Sequence, residues 1–142
     1  MNTYTAILID DEQSARNILS SLLSSYCQNI NVVTTASNLK DGVELIKEHQ
    51  PDLVFLDIEM PNYAGYEITS FFDEIKFELI FVTAYDHYAI RAFELSAIDY
   101  LLKPIEIERL IEAVEKFTEK VRIKDASLNY EVLIESLKED VV

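Results

Sequence analysis

The stretch that decides the fold is "LVFLDIEMP", which occupies residues 53–61. Its first four residues, Leu53 to Leu56, are all apolar, whereas a half-exposed strand would alternate apolar with polar residues. They therefore predict a strand that is buried on both faces. A carboxylate, Asp57, follows directly at the end of that strand, and the function of the protein has to explain its presence there.

Similar strand patterns alternate with helical patterns on both sides of this stretch. The other predicted strands are short apolar runs at 4–9, 31–36, 79–83 and 99–102. Apolar residues recur at helical spacing within 15–26, 39–46 and 107–121, and more weakly near 66–73 and 87–94. Such alternation predicts right-handed crossovers and a doubly wound parallel α/β sheet with helices on both faces.

The composition predicts one folded domain and excludes several functional classes. A chain of 142 residues with 49% hydrophobic residues is long enough for one core. The formal charge of −14 repels nucleic acid and anionic membranes, so neither is expected to bind this segment directly. The single cysteine, Cys27, and the lack of a signal peptide or membrane span favour the cytoplasm.

Chemically active side chains follow four of the predicted strands, at the edge where parallel strands bind ligands. They are Asp10, Asp11 and Glu12 after the first strand, Asp57 after the third, Thr83 at the end of the fourth, and Lys103 after the fifth. Converging carboxylates repel one another unless a cation shares the site. Mg²⁺, which takes oxygen ligands and keeps several waters, is the cation we expect.

This set of residues matches the requirements of phosphoryl transfer. A Mg²⁺ ion and Lys103 on either side of Asp57 would neutralise an arriving phosphoryl group, and the hydroxyl of Thr83 could donate a hydrogen bond to it. A carboxylate nucleophile forms an aspartyl phosphate. We therefore predict that Asp57 is phosphorylated.

Several residues also have a plain structural interpretation when they are considered alone. Asp11 or Ser14 could cap the helix that begins near Ala15, Thr83 could be an ordinary strand residue, and Tyr100 a core aromatic. We expect Cys27 to be a small buried or boundary side chain, and the two histidines, His49 and His87, to be surface residues.

The motifs "ILIDDE", "LVFLDIEMP", "FVTAY" and "AIDYLLKPI", in this order and at these spacings, resemble the receiver domain of two-component response regulators. The resemblance covers roughly residues 4–122. It implies a flavodoxin-like sheet of five parallel strands in the order 2-1-3-4-5, with five helices.

The resemblance also implies a role for each matching residue at the metal and the phosphoacceptor. Asp57 corresponds to the phosphoacceptor, and Asp10 and Asp11 to the acidic pair that binds Mg²⁺ with it. Glu59 corresponds to the residue whose backbone carbonyl completes the metal coordination.

The resemblance further implies which residues respond to phosphorylation and which affect the lifetime of the phosphoryl group. Thr83 and Lys103 correspond to the phosphate-sensing hydroxyl and lysine, and Tyr100 to the aromatic switch residue. Glu59 and Tyr85 occupy the positions that tune dephosphorylation in the family.

The segments "DIEMP" and "TAYDHYAIRAFELSAIDYLLKPI" resemble those of receivers that precede a LytTR-type DNA-binding domain. The expected organisation is a receiver at 1–122 and a linker or tail at 123–142 leading to such a domain beyond this sequence. A short apolar stripe at helical spacing lies in that tail, formed by Tyr130, Leu133, Ile134 and Leu137.

The expected function is that of a phosphorylation-controlled response regulator that controls transcription. The expected partners are a sensor histidine kinase and a second copy of the chain, bound through the fourth helix, fifth strand and fifth helix, roughly residues 87–117. Self-phosphorylation from small donors and self-dephosphorylation are the only expected activities.

Two other functions remain as alternatives. A Mg²⁺-dependent phosphohydrolase also forms an aspartyl phosphate, but it typically has an Asp two residues after the nucleophile, where this chain has Glu59. A stand-alone receiver or a pseudo-receiver that only binds partners is the other alternative, although none of the expected acceptor, metal or lysine residues is missing.

Overall fold

A computed structural model describes residues 2–139 of the chain, which contain five strands, four α-helices and two 3₁₀ helices. In chain order the elements are β1 (Tyr4–Ile9), α1 (Gln13–Tyr26), β2 (Ile30–Ala36), α2 (Leu39–His49), β3 (Leu53–Leu56), a 3₁₀ helix (Gly65–Phe71), β4 (Glu78–Thr83), a 3₁₀ turn (Asp86–Tyr88), α3 (Ala89–Glu94), β5 (Asp99–Leu102) and α4 (Ile107–Glu139). The 3₁₀ turn leads directly into α3. Five helical segments thus alternate with the five strands, as predicted, and the two weak helical patterns correspond to the 3₁₀ helix and the short α3.

All strand pairs in the sheet are parallel, and the order is β2-β1-β3-β4-β5. This confirms the predicted flavodoxin-like topology. Strand β3 lies at the centre, and all four of its residues are buried. Leu56 is in register with Ile9 of β1 and Phe81 of β4. Asp57 therefore leaves the sheet beside Asp10, the residue that follows Ile9.

The sheet separates two hydrophobic clusters. Because side chains alternate along a strand, Leu53 and Phe55 of β3 contribute to one cluster, while Val54 and Leu56 contribute to the other. Helices α1 and α4 cover the first face, and α2, the 3₁₀ helix and α3 cover the second. These two layers hold the carboxyl edge of the sheet in a fixed geometry.

Helix α4 continues well past the predicted end of the domain. Phe117 and Val121 pack against the core, but the helix runs on without a break to Glu139, through the segment predicted as a linker. It contains neither glycine nor proline, so a helix nucleated by tertiary packing can propagate through its good helix formers. The domain boundary at 122 is therefore not marked by a change of secondary structure. Residues 140–142 lie outside the described residues.

The predicted apolar stripe of the tail lies on this extension, where most of its members are exposed. Leu133 and Leu137 are 56% and 52% exposed, and Tyr130 is 65% exposed. Despite this apolar stripe, neither α4 nor any other helix within residues 2–139 is both long and apolar enough to cross a membrane.

Candidate functional site

Three carboxylates meet at the carboxyl edge of the sheet. Asp10 and Asp11 directly follow β1, and Asp57 directly follows the neighbouring β3. Each contributes one oxygen to a group whose members all lie within 4.8 Å of one another. Asp10 and Asp57 are buried and Asp11 is exposed. The structure thus brings together the three side chains predicted as metal ligands, in an arrangement that could hold a metal ion.

Lys103 lies against two of these carboxylates. Its Nζ is 2.7 Å from Oδ2 of Asp10 and 3.1 Å from Oδ2 of Asp57. Partial burial alone would lower the pKa of Lys103, but the hydrogen bonds and negative charges of the two aspartates outweigh burial and raise this pKa. The lysine is therefore held in its charged form between the two carboxylates.

The acceptor candidate Asp57 has a raised pKa. Burial is the largest cause; the positive charge of Lys103 opposes it, and the negative charge of Asp10 adds to it. Its Oδ1 accepts a hydrogen bond of 2.7 Å from the backbone N–H of Ile58, which fixes the carboxylate and leaves Oδ2 facing Lys103. Further positive charge at this point would favour the ionised form.

The charges and donor atoms of this cluster suit a hard divalent cation. Three ionised aspartates and one lysine carry −3 + 1 = −2 charges, which one divalent cation balances. Carboxylate oxygens are the ligands that such cations prefer. The side chain of Glu59 is exposed; its predicted contribution through the backbone carbonyl stays a prediction.

Gly65 shapes the loop that follows Asp57, although the sequence did not single it out. Its N–H donates a hydrogen bond of 2.7 Å to the carbonyl oxygen of Ile58. A Cβ at this position would collide with the backbone carbonyl of Asp57 and would lie 3.0 Å from Cα of Ile58. A side chain is therefore excluded where the 3₁₀ helix approaches the end of β3. The scarcity of glycine, with only two in the chain, was the one available signal.

Thr83, at the end of β4, has an unsatisfied hydroxyl. The residue is fully buried, and its Oγ1 has no hydrogen-bond partner of ordinary geometry among the described residues. It nevertheless lies close enough to Asp57 to favour the ionised carboxylate. Because a buried polar atom without a partner is costly, this hydroxyl is available to a ligand that carries an oxygen at the site.

Four polar residues, on β5 and in the segments that follow β3 and β4, interact with one another. The carboxylate of Glu59 accepts a hydrogen bond of 2.6 Å from the hydroxyl of Tyr88. Tyr85 is exposed, and the nearby negative charge of Glu59 is the largest cause of its raised pKa. Tyr100 is half-buried and donates a hydrogen bond from its hydroxyl to the backbone carbonyl of Tyr85. The sequence pointed to Glu59, Tyr85 and Tyr100 but missed Tyr88.

The predicted dimerisation surface presents two prominent apolar side chains. Ile90 and Phe93 of α3 are 77% and 84% exposed. Arg91 lies over the ring of Tyr66, with its Cζ 4.3 Å from the ring centroid, and Arg109 forms an ion pair of 3.0 Å with Asp99. Ile90 and Phe93 are therefore exposed on this surface, whereas Leu95 is partly buried against the core and both nearby arginines already have partners within the chain.

Comparison with known proteins agrees with this geometry. Residues 6–115 match the family described as the response regulator receiver domain. An uncharacterized response regulatory protein of Vibrio cholerae is 47% identical over 124 residues, which is 87% of this chain and 52% of the relative. The sensory transduction protein LytT of Bacillus anthracis is 36% identical over 113 residues, which is 78% of this chain and 46% of that protein.

Among solved structures, the REC domain of AraT, a response regulator from Geobacillus stearothermophilus, is similar to this chain with a TM-score of 0.77 and 31% identity. The similarity covers 87% of this chain and 98% of the AraT domain structure. The chain spans about half the length of the curated relatives it matches. From the family match, the strand order and the acidic cluster together, the chain belongs to the receiver domain family of two-component response regulators.

Proposed function

We propose that this receiver domain accepts a phosphoryl group on Asp57 from a sensor histidine kinase. The observation that carries the proposal is the placement of Lys103 between Asp10 and Asp57, with distances of 2.7 and 3.1 Å. The buried hydroxyl of Thr83, which has no protein partner among residues 2–139, supports it. A carboxylate, a positively charged side chain and a free hydrogen-bond donor at one point are the groups that phosphoryl transfer to an aspartate requires.

In the proposed reaction, an oxygen of Asp57 attacks the phosphorus atom, and the bond between phosphorus and the donor atom breaks. The leaving group keeps the electron pair of that bond. The ammonium of Lys103 then pairs with a phosphoryl oxygen, and Thr83 donates its hydroxyl hydrogen to another. Mg²⁺ bound by Asp10, Asp11, Asp57 and the backbone carbonyl of Glu59 would neutralise part of the transferred charge.

The output of this reaction is proposed to be a change in the surface formed by α3, β5 and α4. Thr83 and Lys103 lie at the ends of β4 and β5, so new bonds to a phosphoryl group would pull on both strands. Tyr100 of β5 is bonded to the segment before α3. Contacts present in only one state can shift a two-state packing of this region.

Control of transcription is the proposed result. The aligned part of this chain spans only about half the length of its relatives, and the sequence resembles receivers that precede a LytTR-type DNA-binding domain. We propose that such a domain follows α4 in the complete protein, and that paired receivers bring two of these domains together on DNA.

Incubation with Mg²⁺ and a small phosphodonor, followed by intact mass measurement, tests the proposal. We expect one phosphoryl group on the wild-type chain and none on Asp57→Asn, because the amide removes the nucleophile. Asp11→Asn should weaken Mg²⁺ binding in calorimetry, because it removes one carboxylate ligand from a site that is otherwise completed by water.

Asp125→Asn is the matched control, since Asp125 is exposed on the distal part of α4. It should be phosphorylated like the wild type. Modification of Asp57→Asn to the wild-type extent would contradict the proposal. Continued release of phosphate from a monoester would instead indicate the hydrolase, and no modification of any variant would indicate a binding module.

A further inference from the structure

One hydrogen bond connects the loop after Asp57 to the segment that leads into α3. The hydroxyl of Tyr88 donates to Oε1 of Glu59 over 2.6 Å. Glu59 lies two residues beyond the acceptor candidate, and Tyr88 is the last residue of the 3₁₀ turn before α3. The two residues are 29 positions apart in sequence, so this contact exists only in the folded domain.

The ring of Tyr88 is held in place by its neighbours. Its centroid lies 4.2 Å from that of His87 and 5.9 Å from that of Tyr66 in the 3₁₀ helix. Arg91 covers the Tyr66 ring in turn. Aromatic packing of this kind restricts the orientation of the ring and of its hydroxyl, whereas the side chain of Glu59 is exposed.

Glu59 is exposed and stands two residues beyond the acceptor candidate in the chain, so without this bond its carboxylate could turn towards Asp57. A carboxylate in that place can take the proton of a water molecule that attacks a phosphoryl group on Asp57. General base catalysis requires the base within hydrogen-bonding reach of the attacking water. A carboxylate that accepts a hydrogen bond from a tyrosine hydroxyl is less available to act as a general base.

We propose that Tyr88 is a positioning residue that holds Glu59 towards α3 and thereby lengthens the lifetime of the phosphoryl group on Asp57. This inference rests on the proposed function. In the reaction that it slows, the oxygen of water attacks phosphorus, the bond between phosphorus and the Asp57 oxygen breaks, and Asp57 leaves with the electron pair. The proton of the water passes to Glu59 and then to solvent.

The test measures the decay of phosphorylated Asp57 by intact mass after removal of the small phosphodonor. We expect Tyr88→Phe, which removes only the hydroxyl, to decay several-fold faster than the wild type. Glu59→Gln keeps the acceptor oxygen for Tyr88 but cannot take a proton, so it should not decay faster. In the double variant with both substitutions, Tyr88→Phe should no longer accelerate the decay, because the side chain released at position 59 is an amide and cannot act as a base.

Tyr26→Phe is the matched control. Tyr26 is an exposed tyrosine at the end of α1, at the opposite edge of the sheet from the site, and its variant should decay at the wild-type rate. An equal acceleration by Tyr88→Phe with and without Glu59→Gln would overturn the positioning role, as would an unchanged rate in Tyr88→Phe.

A second measurement separates this inference from the proposed function. In amide NMR spectra of the unphosphorylated protein, Tyr88→Phe should shift the resonances of Ile58, Glu59 and Met60, whereas Tyr26→Phe should not. Unmoved resonances would overturn the inference even if Asp57 is phosphorylated. If they move but the wild type is never phosphorylated, the bond to Glu59 stands, while the proposed function and with it the effect on lifetime are refuted.

Discussion

At the scale of single residues, burial determines how strongly neighbouring charges act on Asp57, the proposed phosphoacceptor. Electrostatic interactions are stronger away from bulk water, so Lys103 acts strongly on this carboxylate from 3.1 Å. The same burial raises the pKa of Asp57 and so opposes its ionised, nucleophilic form. In the proposed reaction, further positive charge beside Lys103 would therefore favour the ionised form of this carboxylate.

Gly65 is the residue for which the structure predicts the largest effect on the shape of the site. In Gly65→Ala the new methyl group would collide with backbone atoms of Asp57 and Ile58, which cannot move aside as a side chain can. We expect the free energy of unfolding to fall by about 2 kcal/mol, in the range of overpacked cores. Chemical denaturation measures this loss, and phosphorylation of Asp57 should slow in parallel.

Gly42→Ala in α2 is the natural comparison. A methyl group there meets the flexible side chain of Ile9 rather than backbone, and alanine favours a helix interior by about 1 kcal/mol over glycine. The loss of stability should therefore be smaller than for Gly65→Ala. A larger loss at position 42 would show that the backbone collision at Gly65 is easily relieved.

At the scale of elements, Asp99 connects β5 to α4 through ion pairs. It pairs with Arg109 at 3.0 Å and with Lys116 at 3.1 Å, and its own carboxylate accepts the N–H of Tyr100. Burial alone would raise the pKa of Asp99, but these three hydrogen bonds together lower it. The strand that carries Tyr100 and the helix that leaves the domain are thus joined through one carboxylate.

This ion pair network should make part of the stability depend on pH. Because the pKa of Asp99 is lower in the folded state, its contribution is present above the ordinary value of 3.8 and is lost as pH falls below it. Asp99→Asn should lower the free energy of unfolding by about 1 kcal/mol at pH 7, since its partners are partly exposed. The difference from wild type should shrink as the pH falls below that ordinary value.

Urea unfolding at a series of pH values measures this dependence. Asp125→Asn, at an exposed position of the same helix, should leave both the stability and its pH profile unchanged. If the free energy of unfolding of Asp99→Asn stays below that of the wild type by the same amount at acidic pH, then packing, and not the charge of Asp99, joins β5 to α4.

The elements and the contacts between them differ in how far the sequence could predict them. Strand ends position Asp10, Asp57 and Lys103, and the apolar runs that mark those strands are local features, so the sequence predicted this grouping. Tyr88 was missed because its bond to Glu59 depends on the direction of a short 3₁₀ turn, which no periodic pattern encodes. The extension of α4 was missed because exposed polar residues continue a helix as readily as they form a linker.

At the scale of the whole molecule, the proposed dimer places Ile90 and Phe93 at the centre of its interface. Their exposure leaves apolar surface that a second copy could cover. Arg91 and Arg109 already have partners within the chain, so they provide a charged rim without being left unpaired. This arrangement matches an apolar centre with a polar rim.

Sedimentation with and without a phosphate-mimicking fluoride complex tests the dimer. We expect the complex to promote association of the wild type and Phe93→Glu to prevent it, because a charge at the centre of the interface would be buried without a partner. Charge reversal of Arg91 and Arg109 together should weaken association less than Phe93→Glu does.

Ile18→Glu on α1 is the matched control, since Ile18 is 57% exposed and belongs to another face. Its association should equal that of the wild type. A dimer that forms to the same extent without the fluoride complex, or that survives Phe93→Glu, would place the interface elsewhere on the molecule.

Helix α4 would give the proposed switch a long lever arm. Its 33 residues correspond to a rod of about 50 Å, of which roughly 27 Å extends past the core at Val121. A rotation of about 10° at the point where this 18-residue extension leaves the core, at Val121, would carry its far end through about 5 Å, close to one helical pitch. A DNA-binding domain at that end, as proposed above, would therefore be displaced by several ångströms for each such rotation.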